Sequence, residues 1–519
     1  MQTTPSRRLI VPVVAVVVLG VFLRVLGYFD PALQLWFDEA IWARMLVDGT
    51  AAWIRPAGYM KLSGLIVSIA NTEPMLRSLS LVAGIAMVAL VAAVFRRTTT
   101  SAHAALFGVF LIAIHPAAVS MSKEFKPYAV EAMMHVALIL LAMRWLAAHR
   151  RRDLVGFVVV AAGAPLLAWS VVFAYPGLFL LIGFDAWRAR RLGDLAIAAA
   201  GGVVALGVLL AIFFLRVANT DAESDFWGQK YDVFYVGQDV VDGVRWALSK
   251  TFDVAGFPGR LATGMPEPLT TWLDAGLPIV AAIVTLAAAA LLVARRRFTA
   301  LIIWVLPWVL TGVFNAAGKW PYGVFRTNLF LLVYTTGIIV LGLDELATWR
   351  AWSTSTKRAA TAALIAFSAL VFPWNLDHFR VKEERSMALH TSVRTAIEQI
   401  AREAPAEGPV DLILDGHACG IFRYYTRLHR DTKAVLRPVF SSPRFRVVCG
   451  GFATPAWLTT VVDLRSEVAY VLIAKPPFEP LTRAALTPVC ASIAETGLPG
   501  ATLIFRCAVA SRTPSGSAP

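Results

Sequence analysis

Apolar runs, many of them about as long as a bilayer crossing, fill the first three quarters of the chain. The first run extends from Leu9 to Gly27 and follows Arg7 and Arg8. A helix needs about 20 apolar residues to cross the hydrocarbon core, and 58% of the 519 residues are hydrophobic while only 16% are charged. These features exclude a soluble protein of several domains and predict a polytopic α-helical membrane protein. We expect the first run to be a retained helix, because no small-residue cleavage site precedes Tyr28.

Short clusters of basic residues between the apolar runs set the predicted topology. Cytoplasmic loops carry an excess of Lys and Arg, so we place every cluster inside and require an even number of crossings between neighbouring clusters. The clusters are Arg7/Arg8, Arg96/Arg97, Arg150–Arg152, Arg188/Arg190/Arg191, Arg295–Arg297 and Lys357/Arg358. The rule predicts about eleven crossings of the cytoplasmic (inner) membrane, with the N-terminus inside and the C-terminus outside. They lie near residues 9–28, 76–95, 102–120, 127–147, 154–170, 173–187, 193–216, 273–294, 298–314, 324–346 and 359–375. These loops account for most of the net charge of +14, and we expect no nucleic-acid partner.

The apolar segment 56–70 is treated differently from these spans. It contains Lys61 and is only about half as long as a comfortable crossing. A full crossing there would place Arg96 and Arg97 outside. We therefore expect a re-entrant or interfacial helix in the first outer loop.

The last quarter of the chain is predicted to be a separate domain. We divide the chain into a transmembrane domain, residues 1–376, and an extracytoplasmic domain, residues 377–519, whose tail "SRTPSGSAP" is predicted to be disordered. Helix-like "TSVRTAIEQIARE" and "IFRYYTRL" alternate with strand-like "VDLILD" and "VAYVLIA". This alternation predicts a small α/β fold.

All the cysteines lie in this last domain: Cys419, Cys449, Cys490 and Cys507. An even number confined to one polar segment indicates two disulfides and an oxidising compartment outside the cytoplasmic membrane. From sequence proximity alone, we expect Cys419 to pair with Cys449 and Cys490 to pair with Cys507.

Two adjacent acids, Asp38 and Glu39, lie in the first outer loop within "LQLWFDEAIWARML". A carboxylate in a partly apolar surround can act as a general base towards a hydroxyl. The alternative interpretation is the solvated acidic edge of an interfacial helix.

The second outer loop, "SMSKEFKPYAVEAMMH", brings further ionisable groups to the outer face. Four residues recur at helical spacing and are predicted to share one face: Glu124, Tyr128, Glu131 and His135. Such groups inside a span usually face a cavity. For Glu131 and His135, interhelical pairing is the open alternative. For Glu124, which has Lys123 and Lys126 as neighbours, we favour a functional site.

The stretch "GKWPYGVFRTNLF" places Lys319, Tyr322 and Arg326 at the outer mouth of the tenth span. Arg offers a planar fork of donors to phosphate and Lys a compact charge. A local ion pair or snorkelling to lipid headgroups is the alternative. Arg55 and Lys61 in the first outer loop are candidates of the same kind. We find no Walker loop, dinucleotide-binding glycine motif or HExxH, and the histidines show no metal-ligand spacing.

Four motifs together resemble the C-type glycosyltransferase superfamily, in particular bacterial members similar to protein O-mannosyltransferases and the lipid A aminoarabinose transferase. They are "WFDEA", "RPAGYMKLSGLI" with "EPMLRSLSLVAG" after it, "SKEFKPYAVE" and "GKWPYGVFRTNLFLL". The resemblance covers roughly residues 9–375 and implies a polyprenyl-phosphate-linked sugar donor with inverting transfer outside the membrane. It also implies that Asp38 is the base, that Glu39 supports it and that the second acid is Glu124, where many relatives have Asp.

Two departures concern the phosphate contacts. Pro56-Ala57 stands where the family often has two prolines, and Lys126 stands where Arg is common. Some members use a divalent metal and others do not, and two acids in separate loops fit either arrangement.

We therefore expect a hexosyl or pentosyl transferase that acts on a glycan, lipid or protein acceptor of the cell envelope. The alternative is a transporter or flippase of a lipid-linked envelope precursor, in which Glu131 and His135 relay protons. The chain shows no repeated halves, which many transporters have. A membrane scaffold is a third class. The sequence does not identify the sugar, the polyprenyl length or the acceptor.

Overall fold

The computed structural model describes most of the chain as two compact units. The described residues are 10–30, 34–35, 37–48, 56–217, 267–321, 326–348, 393–450, 466–473, 479–498 and 502–509, with a few isolated positions besides. The first unit comprises Met1–Tyr28, Ala52–Leu62 and Arg77–Lys382. The second comprises Phe29–Ala51, Ser63–Leu76 and Glu383–Pro519. Two segments of the predicted first outer loop therefore belong to the same unit as the C-terminal domain.

All the secondary-structure elements of the described residues before position 349 are helices. They are α1 (Ile10–Val25), α2 (Phe37–Asp48), α3 (Ala57–Ile69), α4 (Glu73–Thr98), α5 (Ala102–Ile114), α6 (Pro116–Met121), α7 (Tyr128–Ala148), α8 (Arg151–Gly163), α9 (Tyr175–Arg188), α10 (Leu192–Val217), α11 (Glu267–Ala294), α12 (Phe298–Ala316) and α13 (Leu329–Thr348). Within the described residues, five helices are long and apolar enough to cross a membrane: α4, α7, α10, α12 and α13. The protein is thus an integral membrane protein. The count of about eleven crossings stays a prediction, and most of the span at 359–375 lies outside the described residues.

Two of the predicted spans are interrupted in the structure, one of them at a proline. The span predicted at 102–120 is divided at His115, where α5 has ended and Pro116 begins α6. Proline has no N–H to donate and suits the first position of a new helix. The span predicted at 154–170 ends as an α-helix at Gly163, and two short 3-10 turns follow before α9.

The most buried of the five membrane-span candidates is α13, which packs against α5, α7 and α11. Glycines allow this helix and its neighbours to pack closely. A Cβ atom on Gly337 would lie 2.0 Å from Cε3 of Trp304 in α12, and one on Gly108 would lie 2.4 Å from Cγ2 of Val340. Glycine at these positions therefore allows the neighbouring side chains to approach the helix backbone.

A five-stranded sheet forms the centre of the C-terminal domain, with strand order β2-β1-β3-β5-β4. The strands are β1 (Val410–Leu414), β2 (Phe445–Cys449), β3 (Val468–Ile473), β4 (Cys490–Leu498) and β5 (Thr502–Val509). β1 pairs in parallel with β2 and β3, whereas β5 runs antiparallel to β3 and β4. The helices are α14 (Val393–Glu403), α15 (Gly416–Arg427), α16 (Arg430–Phe440) and α17 (Glu479–Leu486). The predicted α/β fold is confirmed, while the tail lies outside the described residues.

Both predicted disulfides are confirmed. Cys419 pairs with Cys449 and so joins the first turn of α15 to the end of β2, with Cα atoms 5.6 Å apart. Cys490 pairs with Cys507 and joins β4 to β5, with Cα atoms 5.5 Å apart. Proximity in sequence therefore predicted the connectivity correctly.

Candidate functional site

The two acids of the predicted first outer loop, Asp38 and Glu39, lie in the first turn of α2. Carboxylates there are stabilised by the positive end of the helix dipole. Glu39 is completely buried, whereas Asp38 is only half-buried. A general base has to reach the proton that it removes. Of the two, Asp38 has the exposure that this role requires, and the support that Glu39 gives to the base stays a prediction.

The helix α2 packs against α15 of the α/β domain within the second unit. The residues just before α2 are also tied to this domain. Gln34 Nε2 donates to Thr395 Oγ1 at 3.0 Å, and the Leu35 N–H donates to the Tyr425 hydroxyl at 3.0 Å. The acidic turn is thus anchored to residues of the α/β domain that lie far away in the sequence.

A buried cluster around Glu73, the first residue of α4, was missed by the sequence analysis. Its carboxylate accepts hydrogen bonds from the Tyr425 hydroxyl at 3.0 Å, from Arg394 Nη1 at 3.3 Å and from His429 Nε2 at 2.5 Å. Burial raises the pKa of Tyr425 well above its usual value, and the charge of Glu73 raises it further. The phenol therefore stays protonated and can donate. The signal that the sequence offered was an acid, Glu73, just before the span predicted at 76–95.

The predicted second outer loop forms a tight turn between α6 and α7 rather than an extension of α7. Glu124 lies in this turn, four positions before α7 begins at Tyr128, so its predicted place on the face of that helix is wrong. The turn is enclosed, because Lys123, Glu124 and Lys126 are all buried. Lys123 Nζ donates to the Leu26 carbonyl at 2.5 Å.

Hydrogen bonds connect Glu131 and His135 in a continuous buried chain. Ser170 Oγ donates to Glu131 Oε2 at 2.8 Å and lies 3.2 Å from His135 Nε2. His135 Nδ1 lies 2.6 Å from the Tyr334 hydroxyl. The Ser170 hydroxyl donates its proton to Glu131, so it accepts from His135 and Nε2 carries the proton of the imidazole. Nδ1 then accepts the hydrogen bond from the Tyr334 hydroxyl. This is interhelical pairing, the open alternative for both residues, and their role in lining a site stays a prediction.

The basic candidates are placed differently from one another. Lys61 and Lys319 are exposed, and Arg326 is half-buried. Arg55 and Tyr322 lie outside the described residues.

Two asparagines missed by the sequence analysis organise the connection between α12 and α13. Asn315 Nδ2 donates to the Trp320 carbonyl at 2.9 Å, and Trp320 Nε1 donates to Asn328 Oδ1 at 2.9 Å. Asn328 Nδ2 in turn donates to the Pro321 carbonyl at 2.7 Å. These bonds fix the two ends of the segment that carries Lys319 and Arg326.

The candidates divide between the two units. Asp38 and Glu39 belong to the second unit, while Lys61, Glu124, Lys319 and Arg326 belong to the first. Among the described residues, no group of three or more His, Cys, Asp and Glu side chains could hold a metal ion. The metal question raised by the family resemblance therefore stays open.

Solved structures with the same fold exist, although no protein-family model and no curated protein matches the chain. The apo structure of ArnT from Cupriavidus metallidurans is 17% identical, with a TM-score of 0.52 over 96% of this chain and 97% of that one. The same protein bound to undecaprenyl phosphate is 18% identical, with a TM-score of 0.50 over 98% and 99%. An apo oligosaccharyltransferase from Archaeoglobus fulgidus is 13% identical, with a TM-score of 0.50 over 98% and 75%. The chain therefore shares its fold with ArnT and with this oligosaccharyltransferase, which agrees with the fold that the resemblance in the sequence implies.

Proposed function

We propose that the protein is an inverting glycosyltransferase that uses a polyprenyl-phosphate-linked monosaccharide as donor. The acceptor is a glycan, lipid or protein of the cell envelope, and transfer occurs at the outer side of the cytoplasmic membrane. The observation that carries the proposal is the fold likeness to ArnT along nearly the whole of both chains, including a structure with undecaprenyl phosphate bound. The chemistry is then assigned from this chain's own residues.

In the proposed reaction, Asp38 is the general base. An acceptor hydroxyl is a weak nucleophile near neutral pH, so the Asp38 carboxylate takes its proton as the new bond to the anomeric carbon forms. The bond between that carbon and the phosphate oxygen breaks, and the polyprenyl phosphate leaves with the electron pair. Attack from the side opposite the leaving group inverts the anomeric centre.

Basic side chains are proposed to stabilise the departing phosphate. Charge builds on its oxygens in the transition state, where fixed cations are most effective. Lys319 and Arg326 lie on the segment that Asn315 and Asn328 hold in place. Lys61 is an exposed cation on α3, and Arg55 is assigned the same role from sequence. We propose Glu124 as the second acid, with Lys123 and Lys126 beside it in the turn.

The two parts of the chain are proposed to have separate tasks. Residues 1–376 carry the donor chemistry, and residues 377–519 form the extracytoplasmic domain. Deletion of the latter is a poor test of its role, because residues 29–51 and 63–76 fold with it as one unit. Single substitutions are the cleaner approach.

A hydrogen-bonded chain favours the alternative, a transporter or flippase. Tyr334, His135, Ser170 and Glu131 form a connected path in which each group can donate or accept a proton. Under this alternative, the donor lipid would cross the bilayer without chemical change.

The test is an assay of the purified protein with radiolabelled polyprenyl-phosphate sugars and cell-envelope glycolipids. We expect one donor to label an acceptor and to release free polyprenyl phosphate in equal amount. The same preparation in liposomes should not move the intact donor between leaflets. Movement of intact donor with no labelled acceptor would contradict the transferase and establish the transporter.

A further inference from the structure

The helix that carries Asp38 is held in place by the α/β domain, and a single hydroxyl is central to this link. Tyr425 lies on α15 and is completely buried. Its oxygen accepts the Leu35 N–H at 3.0 Å, three residues before Asp38. The same hydroxyl donates to Glu73 Oε1 at 3.0 Å. One oxygen therefore joins the chain entering α2 to the first residue of α4.

The partners of Glu73 make this arrangement rigid. Besides Tyr425, its carboxylate accepts from Arg394 and His429. His429 Nδ1 lies 3.3 Å from the Thr432 N–H, which donates to it, so Nε2 carries the proton that His429 donates to Glu73. The same contact caps the N-terminus of α16. Each member of the cluster is oriented by another, as the support of a functional site requires.

We propose that Tyr425 is a positioning residue for Asp38, so that the extracytoplasmic domain determines where the catalytic base lies. The proposal rests on the proposed function, in which Asp38 removes the proton of the acceptor hydroxyl. Loss of the Tyr425 hydroxyl leaves the Leu35 N–H without this acceptor and loosens the start of α2. Misplacement of a catalytic group by about 1 Å lowers the rate strongly while substrate binding is kept.

Tyr424 supplies a matched control on the same helix. It is also completely buried, and its ring lies 5.0 Å from that of Tyr425. Its hydroxyl donates to Asn71 Oδ1 at 3.1 Å, on the connection between α3 and α4. Tyr424→Phe and Tyr425→Phe thus each remove one buried hydroxyl, but only the second removes the hydroxyl that holds Leu35.

The experiment combines steady-state kinetics with hydrogen–deuterium exchange of the α2 amides in wild type, Tyr425→Phe, Tyr424→Phe and Asp38→Asn. For Tyr425→Phe we expect kcat to fall by about 10- to 100-fold, with KM for the donor nearly unchanged and faster exchange in α2. Tyr424→Phe should keep the wild-type kcat and α2 exchange. Equal losses in both variants, or wild-type exchange and kcat in Tyr425→Phe, would overturn the proposal.

A second variant removes only the donor of the link. Replacing Leu35 by its α-hydroxy analogue turns the amide N–H into an ester oxygen and leaves every side chain in place. We expect this variant to show a lower kcat and faster exchange in α2, as for Tyr425→Phe, and it provides the test if Tyr425→Phe does not fold. Unchanged α2 exchange would overturn the proposal. The exchange measurement tests the hydrogen bond between Leu35 and Tyr425 and does not depend on activity. Wild-type transfer by Asp38→Asn would contradict the assignment of Asp38 as the base, whatever the exchange result.

Discussion

Some charged side chains in this protein are held by backbone carbonyls rather than by opposite charges. Arg24, completely buried in α1, is an example. Its Nη1 donates to the carbonyls of Gly20 and Ala113 at 2.9 Å each, and Nη2 donates to Ile112 at 3.1 Å. The Ile112 and Ala113 carbonyls lie in the last turn of α5, where the helix dipole is negative. The guanidinium therefore caps α5 and, through the Gly20 carbonyl, joins it to α1.

Replacing Arg24 by Lys tests this role at the scale of the residue. Lysine keeps the charge but lacks the fork that reaches both helices, so we expect a loss of about 1–3 kcal/mol in stability. Thermal unfolding of the purified protein in detergent measures it. Arg97→Lys is the control, because Arg97 is exposed and donates to the Ala93 carbonyl at 3.0 Å. An equal melting temperature for both variants would contradict the capping role.

Among the helices, α13 depends on small residues to pack centrally. Gly337 faces the indole of Trp304, which lies in a π-helical stretch of α12 at Leu301–Val305. Trp304 is buried and also lies beside the rings of Phe95 and Tyr334. The rigid ring has little room to move away from an added methyl group.

We expect Gly337→Ala to destabilise the protein by about 1–3 kcal/mol, because the new Cβ would overlap Trp304. Gly312→Ala, on α12, is the matched control, since a Cβ there meets nothing within 4 Å. Alanine is the better helix former, so the control should be neutral or slightly stabilising. The melting temperatures of both variants in detergent measure these changes. A wild-type melting temperature for Gly337→Ala would contradict the claim that Gly337 is needed for the close packing of α13 against Trp304.

On the scale of the molecule, local patterns predicted the elements and missed their long-range partners. Apolar runs located the helices, alternation located β1 and β3, and cysteine proximity identified both disulfides. The placement of residues 29–51 and 63–76 with the C-terminal domain was not predictable. It depends on contacts such as Glu73 with His429, which are 356 positions apart and leave no periodic trace.

The candidate site divides in the same way. The sequence identified Asp38, Glu39 and Glu124 as candidates because ionisable side chains beside apolar segments stand out in a membrane protein. All three lie in the predicted outer loops. The sequence did not identify Tyr425 or Asn328 as candidates, since tyrosine and asparagine are common in polar segments. Their importance depends on burial and on partners that only the folded chain brings together.

The central claim is that Asp38 removes the acceptor proton, and one comparison tests it directly. Asp38→Asn and Asp48→Asn each neutralise an acid of α2, at its two ends. In the transfer assay we expect Asp38→Asn to lower the rate by about 10²- to 10⁴-fold, while Asp48→Asn transfers at the wild-type rate. Loss of a carboxylate in the first turn of α2 should cost no more than about 1 kcal/mol of stability, so both proteins should remain folded. Transfer by folded Asp38→Asn at the wild-type rate would contradict the account.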